Sequence, residues 1–311
     1  GDDELGQNSA YNLGLCYLEL NRKDFALGAF LHASDLDFDK KIQEEALVSY
    51  AKLNYENKNF QEAIRTLKRL NKDYPNSSHY KENEELLTDA YVNSSDYEQA
   101  VKYLDGVSNK TYREKMAYQK ATYQLAVKKY NSKLYEDGII YFEKSLTYPI
   151  DKDLILASSF WMAETYSKGE KYDKAIVMYS KIFQNDPLKT SEYYLKTRYG
   201  IAYAYYNSKD YDKALNHFKY FVLNSNEKSS SGKLYELDAN TRLADCYYVT
   251  KDYGRAINEY RQVKAQNGLH KDYSSFQLGV LEYIAGRIDE AKVDLDEIIK
   301  NHKESPYYDD A

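Results

Sequence analysis

A repeat constrains this chain more than any other feature. The segments YENKNFQEAIRTL, VNSSDYEQAVKYL, SKGEKYDKAIVMY, YNSKDYDKALNHF and YVTKDYGRAINEY all read aromatic-x-x-Ala-x-x-x-large. Their alanines are Ala63, Ala100, Ala175, Ala214 and Ala256, and Ala26, Gly138 and Ala291 fill the same slot elsewhere. Twelve positions before each lies a second slot, held by Gly14, Ala51, Thr88, Ala126, Ala163, Ala202, Ala244 and Gly279. Apolar residues at i, i+3, i+4 and i+7 flank a polar N-x-K-D type turn, so each copy predicts two amphipathic helices. Antiparallel helices approach closely only where one side is small, which explains the recurring Ala and Gly. Large residues beside the first slot (Leu13, Tyr50, Leu87, Leu125, Met162, Ile201, Leu243, Leu278) are expected to fill the groove alongside. The prolines at 75, 149, 187 and 306 all fall just past a second helix, where the missing N–H is harmless.

The pattern resembles the tetratricopeptide repeat (TPR), whose consensus carries Leu-Gly, Tyr, Ala, a large aromatic residue and a closing Pro. The resemblance covers about residues 6–305 and implies an all-α, right-handed α-solenoid of about eight antiparallel helix hairpins. The expected repeats are 6–37, 43–75, 81–109, 117–149, 154–187, 193–224, 236–267 and 271–305, forming a single superhelix over 1–311. The early Trp of the family is missing, and Trp161 lies two positions later. Lys128 and Lys129 stand where core residues are expected in the fourth copy, predicting a displaced or short first helix there. Asn224–Lys233, rich in Ser and Asn, reads as a flexible inter-repeat loop. Residues 306–311 look like the opening of a ninth first helix, and the chain starts at Gly1 rather than Met. Both features suggest a segment of a longer array, with self-association through uncapped ends as one consequence.

Few residues point to chemistry. The net charge of −6 argues against a nucleic-acid groove. No apolar run is long enough to span a bilayer. The five histidines fall in different copies without an i+4 partner. Cys16 and Cys246 form no C-x-x-C pair, and their slot predicts small, buried packing residues. SSSGKL (229–234) lacks the first Gly and the hydroxyl residue of a phosphate loop. No cofactor or metal is implied, and no enzyme activity is expected.

Tyrosine is in excess at 36 residues. Thirteen fall in hairpin-core slots, and nine others fall on the inner, concave face that the resemblance assigns to first helices. That face is read from positions −3, +1 and +4 around the first small slot, taken as lying outside the hairpin core. The candidate partner-binding residues there are Tyr11, Tyr55, Tyr123, Tyr130, Phe160, Tyr199, Tyr203, Tyr206, Tyr248, Phe276 and Tyr283, densest at 199–206. Packing between copies would explain these rings equally well. The Lys–Asn clamp by which TPR proteins hold a carboxylate has no counterpart beside Lys52, Lys120 and Lys196. The function expected is a non-enzymatic scaffold binding a protein or peptide on the concave face. The alternative is a glycan-binding cell-envelope protein using the same aromatic row. The Tyr, Asn and Lys bias is similar to long TPR arrays of Bacteroidetes, a resemblance that implies a periplasmic or outer-membrane-associated location.

Overall fold

The computed structural model describes residues 3–225, 230–266, 268 and 270–311. These residues form helices and turns, with no strand among them. The chain divides into two compact units, Gly1–Ile155 and Leu156–Ala311. The first contains α1 (Glu4–Glu19), α2 (Lys23–Asp35), α3 (Lys40–Glu56), α4 (Phe60–Asp73), α5 (Tyr80–Asn93), α6 (Tyr97–Asp105), α7 (Tyr112–Asn131) and α8 (Tyr135–Leu146). The boundary falls inside α9 (Lys152–Lys168), and the second unit holds the rest of that helix with α10 (Tyr172–Asn185), α11 (Glu192–Asn207), α12 (Tyr211–Asn224), α13 (Ser230–Val249), α14 (Tyr253–Ala265), α15 (Lys271–Ile284) and α16 (Ile288–Asn301). Odd-numbered helices are the first helices of hairpins and even-numbered ones the second. Within each unit, helices pack on their sequence neighbours, as in α3 on α4 and α4 on α5, the arrangement of an all-α helical-repeat solenoid.

The small slots lie where the hairpin helices cross. Ala51, Ala63, Ala100, Ala126, Ala163, Ala175, Ala202, Ala214, Ala244 and Ala256 are wholly buried. Two slots demand glycine. A Cβ on Gly14 would sit 2.6 Å from the Phe30 ring, and one on Gly279 would sit 2.6 Å from Leu295. Gly138 has room for alanine, its nearest neighbour being 3.6 Å away.

Each intra-hairpin turn contains one left-handed residue, five positions before the second small slot. These are Asn21, Lys58, Ser95, Lys133, Glu170, Lys209, Lys251 and Gly286. The next N–H then closes the turn on a carbonyl of the first helix, as in Asn59 N to Asn54 O at 2.8 Å and Arg287 N to Glu282 O at 2.8 Å. The Asp of the turn is the N-cap of the second helix. Asp96, Asp210 and Asp252 accept from the backbone N–H groups of Gln99, Lys213 and Arg255.

Connections between hairpins are held from within. Gln7 Nε2 donates to Leu36 O at 2.7 Å, and Gln7 Oε1 accepts from Asp39 N at 2.7 Å. Gln119, in the same slot of the fourth copy, accepts from Asp151 N at 2.8 Å and donates to Asp151 O at 3.2 Å. Both amides are fully buried and satisfy loop backbone that would otherwise lack partners.

Several expectations need correction. The first helix of the fourth copy is neither short nor displaced: α7 runs for 20 residues. A capping box at Thr111 and Glu114 starts it early, and the half-buried Lys129 reaches Glu98 at 3.3 Å. Residues 230–233 are the first turn of α13 rather than loop, while 226–229 lie outside the described residues. Residues 303–310 form turns instead of opening a helix. There Tyr307 stacks on Phe276 with centroids 5.2 Å apart, and Ser305 Oγ donates to Asp272 at 2.7 Å. Cys246 is buried as expected, with burial first and Asp245 second pushing its thiol up to about 12. Cys16 is exposed, and Leu13 is 48% exposed, because among the described residues the contacts of α1 are with α2 and α3, leaving this side uncovered.

Candidate binding face

The aromatic slots of the first helices prove to belong to the hairpins. The −3 ring meets the second helix of its own hairpin, contrary to the sequence reading. Tyr11 lies 5.9 Å from Phe30, Tyr123 6.1 Å from Phe142, Phe160 6.2 Å from Tyr179 and Tyr199 6.3 Å from Phe218. The +4 ring clasps the aromatic residue that opens the second helix. The pairs are Tyr55–Phe60, Tyr130–Tyr135 and Tyr206–Tyr211 at 5.6 Å, and Tyr248–Tyr253 at 6.0 Å. Ring centroids at 4.5–7 Å in tilted or edge-on geometry are favourable beyond their buried area. Phe160 is buried, Phe276 lies under Tyr307, and Tyr283, at 67%, is the one mainly exposed member of the eleven. The ring-to-ring spacing within each copy is the sequence signal that carries this pairing.

At 199–206 the tyrosines converge on carboxylates of α13. Tyr199 Oη donates to Asp238 Oδ2 at 2.7 Å, and Tyr203 donates to the same oxygen. Tyr206 donates to Asp245 Oδ2 at 3.1 Å. Asp245 Oδ1 accepts from Tyr260 at 2.6 Å and Tyr273 at 2.8 Å, and Arg242 Nη1 holds Oδ2 at 2.8 Å. His270 Nε2 lies 3.1 Å from Asp238 Oδ1. Burial first, then the Asp238 carboxylate, pushes Tyr203 up to about 12, and burial with Asp245 raises Tyr206 as well. These phenols remain protonated donors. The network ties α11 to α13 and α15, each carboxylate charge being compensated by several donors. Sequence reading found the tyrosines and missed Asp238, Arg242 and Asp245, whose partners lie up to 39 residues away.

The first helices of unit one leave space open. A groove of about 420 Å³ is lined by Lys52 and Tyr55 of α3, Glu82, Glu85 and Leu86 of α5, and Arg113 of α7. Lys52 pairs with Glu82 at 2.8 Å, while Arg113 is held by Asp89, with Arg113 Nε 3.2 Å from Asp89 Oδ1, and by Glu85 at 3.1 Å; Lys52, Glu82, Arg113 and Glu85 are all more than a third exposed. Tyr55 Oη accepts from Asn93 Nδ2 at 2.9 Å. An aromatic ring and a leucine thus sit between two exposed cations and their acidic partners.

Residues 45–77 and 157–188 match one tetratricopeptide-repeat family model, and residues 199–270 match another. The chain carries tetratricopeptide repeats. Several solved structures align with the chain. The apo form of RapI aligns with a TM-score of 0.51 at 12% identity, over 85% of this chain and 78% of that one. A signal-transduction ATPase with a tetratricopeptide repeat sensor from Pyrococcus horikoshii gives 0.49 at 15% identity, over 94% of this chain and 46% of that one. A tetratricopeptide repeat protein from Parabacteroides merdae gives 0.36 at 12% identity, over 96% and 95%. No curated protein matches the sequence. At 12% identity the likeness to RapI concerns the fold alone.

Proposed function

We propose that this protein is a non-enzymatic interaction scaffold and that the first-helix face of its unit-one repeats receives a peptide or an extended segment of a partner protein. The observation that carries this reading is the open groove across α3, α5 and α7. Tyr55 and Leu86 offer apolar contact along its lining. Lys52 and Arg113 on one side of each ion pair, and Glu82 and Glu85 on the other, offer both signs of charge to side chains and backbone. Rings and arginine are the usual anchors of protein recognition. The Tyr199–Tyr206 cluster acts in this reading as the support that fixes the spacing of α11 and α13, since its hydroxyls are committed to Asp238 and Asp245.

The test is selection from a random peptide library displayed on phage. Selected peptides are expected to lose at least tenfold in affinity against Tyr55→Ala with Arg113→Glu, while far-ultraviolet circular dichroism stays unchanged. Peptides that bind this double variant as tightly as the parent, or a library that yields no enrichment, would overturn the groove.

A further inference from the structure

Three slots of the first helices are covered where an even-numbered helix of the same unit precedes them. Five positions before the first small slot stand Ala46, Asn83, Ala121, Thr197, Ala239 and Ser274, all at most 1% exposed. One position before it, the large residues of α3, α5, α7, α11, α13 and α15 are buried. Two positions after it, Leu53, Ala90, Ala204, Cys246 and Leu281 are buried, Lys128 being the exception. α2 shows the register of the covering helix. Its Ala33 clusters with Ala46 of α3, and its Ala26 and Phe30 cluster with Tyr50 and Leu53. The pair is therefore antiparallel, with the second small slot and the residues four and seven after it packed on the three slots of the next helix. In α13 those slots are Ala239, Leu243 and Cys246, and they share one core cluster with Ala214, Phe218 and Phe221 of α12.

α1 carries nearly the same set, Ser9, Leu13 and Cys16, with all three exposed. Leu5 and Leu20, at 75% and 67%, extend the row at both ends. Steps of four, four, three and four residues keep these five side chains on one side of the helix. The row is about 22 Å long at the helical rise per residue. Covering it would strand little: Ser9 Oγ already donates to Leu5 O at 2.7 Å, and Asn12 Nδ2 beside the row donates to Asn8 O at 3.0 Å. Asp3, Glu4 and Glu19 flank the row, and α1 contains no Lys or Arg. A covering helix with lysines at its edges is complementary to that charge. α12 has this character, with the exposed Lys213 and Lys219 against Asp212.

We propose that the outer face of α1 is a docking site for an amphipathic helix of a partner protein. The helix lies antiparallel to α1, with a small residue over Cys16, an aromatic one over Leu13, an apolar one over Ser9 and lysines at its edges. Anchors at such helical spacing are how a helix is read by an apolar surface. This face is separate from the groove across α3, α5 and α7, and its chemistry is that of the contact that closes α12 on α13.

The probe is a peptide of residues 209–225, capped at both ends and held helical by a lactam between Asp212 and Asn216→Lys, two positions exposed on α12. Cys16 is the reporter, because it is exposed while Cys246 is buried. Iodoacetamide is added to the whole chain, and alkylation of Cys16 is followed by mass spectrometry. The peptide is expected to slow this reaction saturably, at least tenfold at saturation. The same peptide with Phe218→Ala and Phe221→Ala should give no protection. Leu13→Glu in the chain, at an exposed position, should keep the helical circular dichroism and weaken the peptide at least tenfold. No saturable protection, equal protection by the double-alanine peptide, or equal affinity for the Leu13→Glu chain would overturn the site. Protection that grows with protein concentration in the absence of peptide would assign the face to a second copy and overturn the partner helix.

Discussion

His217 gives this fold an acid-sensitive point whose size can be worked out. The side chain lies on α12, stacked against Phe183 at 6.0 Å and Tyr205 at 5.6 Å. Its Nδ1 is 3.1 Å from Arg198 Nη1, so the ring accepts from the guanidinium and is neutral in the fold. Arg198 cannot withdraw readily, being held over the Phe183 ring at 4.5 Å and the Tyr220 ring at 4.2 Å. Burial first and Arg198 second push His217 down from 6.5 to about 4. Between those values the unfolded chain binds more protons than the folded one, so stability falls as pH drops from about 6.5 toward 4. At pH 5 the full effect is about 2 kcal/mol, and about half of that remains once screening at the half-exposed ring is allowed for.

The assay is native-state hydrogen exchange of the α11 and α12 amides at pH 7.5 and 5.0, corrected for intrinsic exchange. A repeat array can open locally, so a local probe is preferable to a global melt. The reference is His217→Gln, which keeps an acceptor and does not titrate. The parent should lose about 1 kcal/mol more protection than the variant between the two pH values. Equal losses in both proteins would refute the assignment of the proton to His217.

Two further substitutions test the packing. A Cβ on Gly200 would fall 2.4 Å from Tyr179 Oη and 2.9 Å from Glu164 Oε1, so Gly200→Ala should destabilise unit two by about 1–3 kcal/mol in urea melts. Gly28→Ala, inside α2 with open space around it, should instead stabilise by up to about 1 kcal/mol, and similar signs for both would contradict the close packing of α11 on Tyr179 of α10. Asp245→Ala takes one carboxylate from Arg242, which keeps Tyr203 and Asp238, and strands three phenols, and should cost about 3–5 kcal/mol by the same measurement. A loss below about 1 kcal/mol would mean that the network contributes little.

The helical hairpins, their eightfold recurrence and the crossing residues were legible because they rest on short-range rules. A 3.6-residue apolar period, a small residue every hairpin and a polar turn are all set by side chains within about twelve positions of one another. The left-handed turn residue was hidden, because seven of the eight are not glycine and the strain is borne by the packed hairpin around them.

The same letters were ambiguous wherever the answer depended on a distant neighbour. The −3 rings could have faced a partner or a second helix, and the position of Phe30, Phe142, Tyr179 and Phe218 decided it. Asp238 and Asp245 read as two more surface acids until α11 brought its phenols across. Cys16 and Cys246 occupy one slot with opposite burial, since the slot fixes which way a side chain points but not whether another helix covers it. The amino-acid order therefore determines how each hairpin closes, by local sterics. Which surfaces stay open to a ligand follows only from how successive hairpins stack, because that is where water is finally excluded.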